Sequence, residues 1–334
     1  MIRRLMKSVR EYKRPTVLTL IFIVGEAVIE TFIPFITANL VNRIKAGADM
    51  SYILETGGVL ALMACASLAC GGLAGFTCAK ASAGFAKNLR GDIFRRVQTY
   101  TFENIDKFSS SSLVTRMTTD VANAQMSYMM VIRTAIRSPL MLIFSVVMAY
   151  VMGGALATAF VVVIPVLAFG LLLISRKAMP AFRSVFRKYD RLNESVEENV
   201  RAMRVVKGFS REEYEKKKFG AASEDIRKDF THAERIVALN APLMQFCLNF
   251  NMVFVLIVGS KMTITSGGTL VDVGQISAML TYGVQILMSL MMISMIFVMG
   301  VMSRASLTRV VEVLNEQPET PSFKSPTAAS TSTV

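Results

Sequence analysis

The sequence predicts an all-α integral membrane protein: six transmembrane helices with two long cytoplasmic helical hairpins. Three observations predict it. Hydrophobic residues make up 53% of the 334 and charged residues 18%, against roughly 45–50% and 25% in a typical globular domain. The apolar residues gather in stretches that can cross ~30 Å of hydrocarbon, for which a helix needs about 20 residues. The charge lies between those stretches, and the basic residues gather in every second intervening segment, which places them on one side of the membrane.

The predicted spans are 16–41, 59–78, 139–152, 155–175, 236–259 and 274–302. The third and fourth are separated only by Gly153-Gly154, a pair whose free backbone angles suit a tight turn between antiparallel helices. The third span is short. It is expected to begin earlier, with Arg133 and Arg137 extending toward headgroups. The first span is longer than the apolar core of a signal peptide and no small-residue cleavage site follows it, so it is expected to be retained.

Orientation follows from the basic residues. With the amino terminus inside, the segments 1–15, 79–137, 176–235 and 303–334 are cytoplasmic. They hold all of the 37 Lys and Arg residues except Arg43, Lys45 and Lys261. The expectation is a multi-pass protein of the plasma (inner) membrane with both termini cytoplasmic. Basic loops facing anionic headgroups account for the net charge of +13, and no nucleic-acid partner is needed. Cys65, Cys70, Cys78 and Cys247 all lie in apolar spans, which points to packing and away from a disulfide framework or metal site.

The outer loops are short, whereas the inner loops 79–137 and 176–235 are long and keep a helical pattern. In the second, Phe182, Val185, Tyr189, Leu192, Val196, Val200, Met203 and Val206 recur at steps of three and four, one apolar stripe of a helix. Two legs of about 27 residues would reach ~40 Å at 1.5 Å per residue. A simple pore has no use for such levers; a cytoplasmic partner does. The last helix runs on to about Leu314, where Pro318 and Pro321 are expected to stop it. The membrane domain is therefore placed at 1–316 and a flexible Ser/Thr/Pro/Ala tail at 317–334.

Three stretches resemble the transmembrane domains of ABC exporters of the multidrug type. They are FSSSSLVTRMTTDV from Phe108 to Val121, ENVRAMRVVKGFSREEY from Glu198 to Tyr214, and SLTRVVEVL from Ser306 to Leu314. Their order and spacing fit across about residues 15–320. The resemblance implies that the inner-loop tips form coupling helices seated on ATP-binding domains. The matching residues are Ser110, Leu113, Arg116 and Asp120 in the first tip. In the second they are Phe209, Arg211, Glu212, Glu213 and Tyr214. Phe209 ringed by charge has the build of an interface hot spot; it is equally the build of a capped turn in solvent. Ser111 and Thr119 stand where the family often has glycine and asparagine.

The family usually continues into an ATP-binding domain shortly after the sixth helix; here the chain stops. No G-x-x-x-x-G-K-[ST] loop is present, so no cofactor is expected on this chain. ATP and Mg would be used by partner ATP-binding domains. Ser266-Gly267-Gly268 lies in an outer loop, and the single histidine, His232, sits among charges on an inner helix. Further implied partners are a second transmembrane half, with a heterodimer favoured by the sequence around Leu113 to Gln125, the bilayer, and a lipophilic small-molecule, lipid or peptide cargo.

Candidate pathway residues are polar or soft groups within spans. Glu26 and Glu30 share one face of the first helix. An intramembrane carboxylate costs about 2.5–3.5 kcal/mol on insertion scales, so the pair faces either a cavity or a partner. Met288, Met291, Met292, Met295, Met299 and Met302 form a face of the sixth span with Thr281, Gln285 and Ser289 above it. Methionine suits promiscuous surfaces and also plain helix packing. Gln245 and Asn249 are similar candidates on the fifth span. The expected function is the membrane-spanning subunit of an ATP-driven exporter. The alternative is a truncated or non-transporting membrane scaffold; a secondary transporter, a third possibility, would not need the long hairpins.

Overall fold

The computed structural model describes residues 2–269 and 271–316. A short helix α1 (Ile2–Leu5) and a 3-10 segment (Met6–Tyr12) lead into α2 (Lys13–Lys45) and α3 (Met50–Val97). The first long connection then holds α4 (Phe102–Phe108) and α5 (Ser110–Thr115), followed by a π-turn (Arg116–Asp120). Next come α6 (Val121–Gly153) and α7 (Thr158–Arg201), with α8 (Met203–Gly208) and α9 (Glu212–Ala238) completing the second long connection. The chain ends in α10 (Asn240–Ser266) and α11 (Val273–Asn315).

Among the described residues, five continuous helical runs are long and apolar enough to cross a membrane. The longest, Ser110–Arg201, is broken at Gly154, whose φ of +48° ends α6. Glycine adopts that angle at no steric cost. The helices on either side run in opposite directions, as their partners along α11 establish. On α6, Gly153 lies against Met279 and the Ser145 hydroxyl donates to Gln285 Oε1 at 3.0 Å. Moving along α11 thus moves backward along α6. On α7, Phe160 lies beside Gly283, and Val163, Leu167 and Leu171 cluster with Leu287, so α7 runs with α11. The turn predicted at Gly153-Gly154 is therefore a true reversal.

The third span, by contrast, continues one helix that starts at Val121. The fifth follows a restart of the helix at Asn240. Pro318, Pro321 and the 317–334 tail lie outside the described residues.

The chain divides into two compact units, and α2, α3, α6 and α11 each contribute to both. The first comprises 1–29, 63–137 and 295–334; the second comprises 30–62 and 138–294. In the first unit, α2 and α3 pair antiparallel. Thr19 donates to Thr77 Oγ1 at 2.8 Å, the Tyr12 ring covers Gly84, and Asn88 Nδ2 donates to the Ser8 carbonyl at 3.0 Å. Phe85 stacks on Tyr128 of α6 with centroids 4.6 Å apart. Leu89, Ile93, Val121, Val310 and Val313 complete this core.

In the second unit, the Tyr282 hydroxyl donates to the Thr31 carbonyl at 2.8 Å. Asn42 Oδ1 accepts from the Gly274 N–H at 2.7 Å, and Lys45 pairs with Asp272 at 2.7 Å. The end of α2 and the start of α11 are thereby held together. A Cβ at Gly274 would overlap the Ala38 carbonyl.

The helices α7 and α9 pack as two antiparallel legs; of the predicted stripe Val185 is buried, while Tyr189, Val196, Val200 and Met203 stay exposed. Phe182 meets Phe230 edge-on at 6.0 Å, Lys188 pairs with Asp225 and Asp229 at 2.7 and 2.8 Å, and Asn199 Nδ2 donates to Glu215 at 2.8 Å. Along the spans, large apolar side chains such as Leu62, Leu68, Phe76, Phe246 and Ile257 remain exposed. Such a surface suits hydrocarbon, which also demands that backbone groups be satisfied within helices.

Candidate functional site

The second loop tip is a strained turn between two helices. The chain leaves α8 through Phe209 and turns at Ser210, a non-glycine residue at φ +51°. The left-handed residue is thus Ser210 and not the glycine before it. Phe209 stands 76% exposed, with nothing of its own unit covering it. Glu212 and Glu213 occupy the first turn of α9, where carboxylates favour the positive end of the helix dipole. Arg211 places its guanidinium 5.9 Å from the Tyr214 ring centre, and Tyr214 is itself exposed. All five sequence-predicted residues of this tip are therefore brought together on one exposed turn.

The first tip is built differently from the expectation. Ser110 is exposed at the start of α5, capped by Ser109, whose φ of +56° turns the chain and whose Oγ accepts from the Ser112 N–H. Leu113, Arg116 and Asp120 turn inward. The π-turn, a local widening common at functional positions, brings Arg116 and Asp120 to the same side, against α11. Arg116 donates to the Arg309 carbonyl at 2.7 Å and pairs with Glu312 at 3.0 Å. Arg309 forks onto Asp120, with Nε donating at 2.7 Å and Nη2 at 2.5 Å.

The Asp120 side chain is 0% exposed. Burial pushes its carboxyl upward. The bonds from Arg309 and Ser306, with the charges of Arg309 and Arg116, outweigh this and hold it below the usual aspartate range. Nearby, Asn123 Nδ2 donates to Ser306 Oγ at 3.0 Å.

The exposed end of this loop is α4, which sequence reasoning passed over. Thr101 caps it through a reciprocal capping box with Asn104. One face is buried: Phe108 stacks on Tyr100 at 5.8 Å with the Arg116 guanidinium 4.8 Å from its ring centre, and Lys107 reaches Glu316 at 2.7 Å. The other face presents Phe102, 89% exposed, with Glu103 and Asp106. Both tips thus end in one bare phenylalanine beside carboxylates. The pattern Thr-x-x-Asn, a cap signal of the same kind as S/T-x-x-E/Q, is the signal in the sequence that marks α4.

The intramembrane candidates fall into different settings. Glu26 pairs with Arg137 of α6 at 3.3 Å, the two side chains being 17% and 38% exposed. Its carboxylate lies over Gly71 of α3, where a Cβ would come within 3.1 Å of Oε1. Arg137, expected at the headgroups, thus meets a carboxylate instead. Glu30 is half-buried one turn further on. Gln285 is half-buried and held by Ser145, while Thr281, Met288, Met292 and Met295 stand exposed along α11. Gln245 and Asn249 are exposed on α10 and bonded to each other at 3.2 Å. Among the described residues no group of three metal-ligating side chains converges.

The ABC transporter transmembrane region, as a family model, matches residues 16–291, most of the chain. This chain belongs to that family. The ABC transmembrane region aligns with the uncharacterized ABC transporter ATP-binding protein YfiB of Bacillus subtilis (strain 168), 28% identical over 95% of this chain and 55% of the relative. It is 27% identical to the uncharacterized ABC transporter ATP-binding protein MT1311 of Mycobacterium tuberculosis over 96% of this chain and 55% of that protein. It is 27% identical to the fatty acid ABC transporter ATP-binding/permease protein of Mycobacterium bovis over 70% of this chain and 36% of that protein.

The chain spans about half the length of the first of these curated relatives. Membership, with the long apolar helices, gives the chain a multi-pass membrane setting. Both loop tips fall within the matched region; the Arg309 end of α11 lies just past it.

Proposed function

We propose that this ABC transmembrane region is the membrane-spanning subunit of an exporter, and that its two inner-loop tips dock on ATP-binding domains. The observation behind this is the shared build of the tips: Phe102 and Phe209 stand bare at the ends of rigid helical levers, each rimmed by charge. A central aromatic with a polar rim is the usual form of an interface hot spot. ATP-driven closure of the partner domains would push on the tips, and the helices would pass that displacement to the spans. The first tip docks through the outer face of α4 with Ser110 beside it, while Leu113, Arg116 and Asp120 brace it from behind. The second docks through Phe209, Arg211, Glu212, Glu213 and Tyr214.

Two such halves form the working unit, with both termini cytoplasmic in the plasma membrane. ATP and Mg belong to the partner domains. Lipophilic cargo follows the exposed face of α11 through Thr281, Met288, Met292 and Met295, with Gln245 and Asn249 of α10 in reach of polar groups; the name of the Mycobacterium bovis relative makes a fatty acid one cargo to try. The test is transport per ATP in proteoliposomes. Phe209→Ala is expected to weaken assembly or to let hydrolysis proceed without transport, since loss of a hot-spot aromatic costs about 2 kcal/mol or more. Unchanged assembly together with unchanged transport per ATP would remove Phe209 from the interface.

A further inference from the structure

A cleft of about 330 Å³ lies in the first unit between the N-terminal segment and the end of α3. Five cationic side chains line it, Arg4, Lys7, Arg10, Arg95 and Arg96, against a single carboxylate, Asp92. Asp92 is already committed. It takes Arg10 at 2.7 Å, Arg95 at 2.6 Å and the Ser8 hydroxyl at 2.7 Å. Its carboxyl, which burial pushes up, is held below the ordinary range by these bonds and charges. Arg4 donates to the Leu314 carbonyl at the end of α11 at 3.1 Å. The Nε of Arg96 is buried and has no partner among the described residues. Arg10 holds its place at φ +40°, ψ −115°, a conformation that strains a non-glycine residue.

The cleft carries five cations against one carboxylate; Arg4, Lys7, Arg10 and Arg95 reach solvent, while Arg96 is half-buried. Like charges this close repel, and a buried guanidinium N–H without an acceptor is left with its desolvation cost. A compact anion with several acceptor oxygens would relieve both. Phosphate matches the arginine fork geometrically and brings more than one negative charge. We infer that the cleft formed by Lys7, Arg96 and their cationic neighbours Arg4, Arg10 and Arg95 is a binding site for a phosphate group. The site is separate from the loop tips and does not depend on their role. Because Arg4 also holds the end of α11, an occupied site ties the N-terminal segment, α3 and α11 together.

The phosphate could belong to a lipid headgroup or to a soluble molecule, and two arms distinguish them. In the first, the full chain is reconstituted in phosphatidylcholine nanodiscs with and without phosphatidylglycerol, and lipid retained on release is read by native mass spectrometry. In the second, thermal unfolding in detergent is followed with added inorganic phosphate or pyrophosphate, against sodium chloride at equal ionic strength. The expected result is binding in at least one arm, about 10-fold weaker in Lys7→Gln/Arg96→Gln and largely kept in Lys7→Arg/Arg96→Lys, which preserves the charge. Retention of phosphatidylglycerol assigns the headgroup; stabilisation by phosphate alone assigns a soluble ligand. No response in either arm, a response equalled by sodium chloride, or equal binding by the glutamine variant would overturn the site.

Discussion

Arg309 grips Asp120 with two guanidinium nitrogens, joining the exit of the last helix to the segment behind the first loop tip. The donors sit at 2.7 and 2.5 Å from separate carboxylate oxygens. Asp120 is fully enclosed, while Arg309 keeps 46% of its side chain in solvent. Removing the arginine therefore leaves a buried carboxylate without its main partner, which typically costs about 3–5 kcal/mol. Arg309→Ala is expected to lower the thermal midpoint clearly, and Arg309→Ala/Asp120→Ala to recover part of the loss. Equal loss in both variants would show that the pair adds nothing beyond side-chain packing.

The same pair sets an acid limit. The Asp120 carboxyl is held below its ordinary value in the folded chain. A depressed carboxyl contributes stability that is fully present above the unfolded pKa and is lost as pH falls through the folded one. The stability gap between the native chain and Asp120→Asn is thus expected to be constant around pH 6–7. It should shrink as pH drops below ~3.9, the ordinary aspartate value. A gap that stays constant into strong acid would contradict the assignment.

Glu26 and Arg137 make a comparable pair within the spans. Glu26→Gln removes one partner of Arg137 and is expected to lower the thermal midpoint, while Glu26→Gln/Arg137→Gln should recover part of that loss. If the pair is structural, export of cationic and neutral lipophilic cargo should fall together. A selective loss of cationic cargo in Glu26→Gln or Glu30→Gln would instead give these carboxylates a part in recognition.

The junction between the end of α2 and the start of α11 offers a packing test. Gly274 faces the Ala38 carbonyl so closely that a Cβ would overlap it, and backbone cannot swing aside as a side-chain tip can. Gly274→Ala is expected to cost about 1–3 kcal/mol and to loosen the Asn42 and Lys45–Asp272 contacts, seen as faster amide exchange at the start of α11. A neutral effect would mean that these ends are free to shift.

Much of this architecture is legible in the residues, because membrane spans are encoded by length and charge alone. The reversal at Gly153-Gly154 is likewise written locally, since Gly154 takes a backbone angle that few other residues tolerate. The second tip reads well because Phe209 and its charged neighbours are contiguous. The first tip does not. Whether Asp120 faces outward or inward depends on Arg309, 189 positions away, and no local pattern encodes that partner. The π-turn that aims both Arg116 and Asp120 at α11 has no sequence signature either. Glu26 is recognisable as costly, but its pairing with Arg137 follows from the packing of α2, α3 and α6.

No phosphate-cradling loop occurs in this chain, so on its own it is expected neither to bind nor to hydrolyse ATP. Calorimetry with nucleotide and phosphate release in nanodiscs check this. Turnover by the isolated chain, with contaminants excluded, would contradict the division of labour proposed for it.

The most direct test places a photo-activated cross-linking residue at position 209, at position 102, and at Ile143 as an exposed apolar control on α6. Cross-linking is carried out in cells, and the captured polypeptides are identified by mass spectrometry. The account expects ATP-binding domains at positions 209 and 102 and none at 143. Failure of both tips to capture an ATP-binding domain, with the full chain present in the membrane, would contradict it.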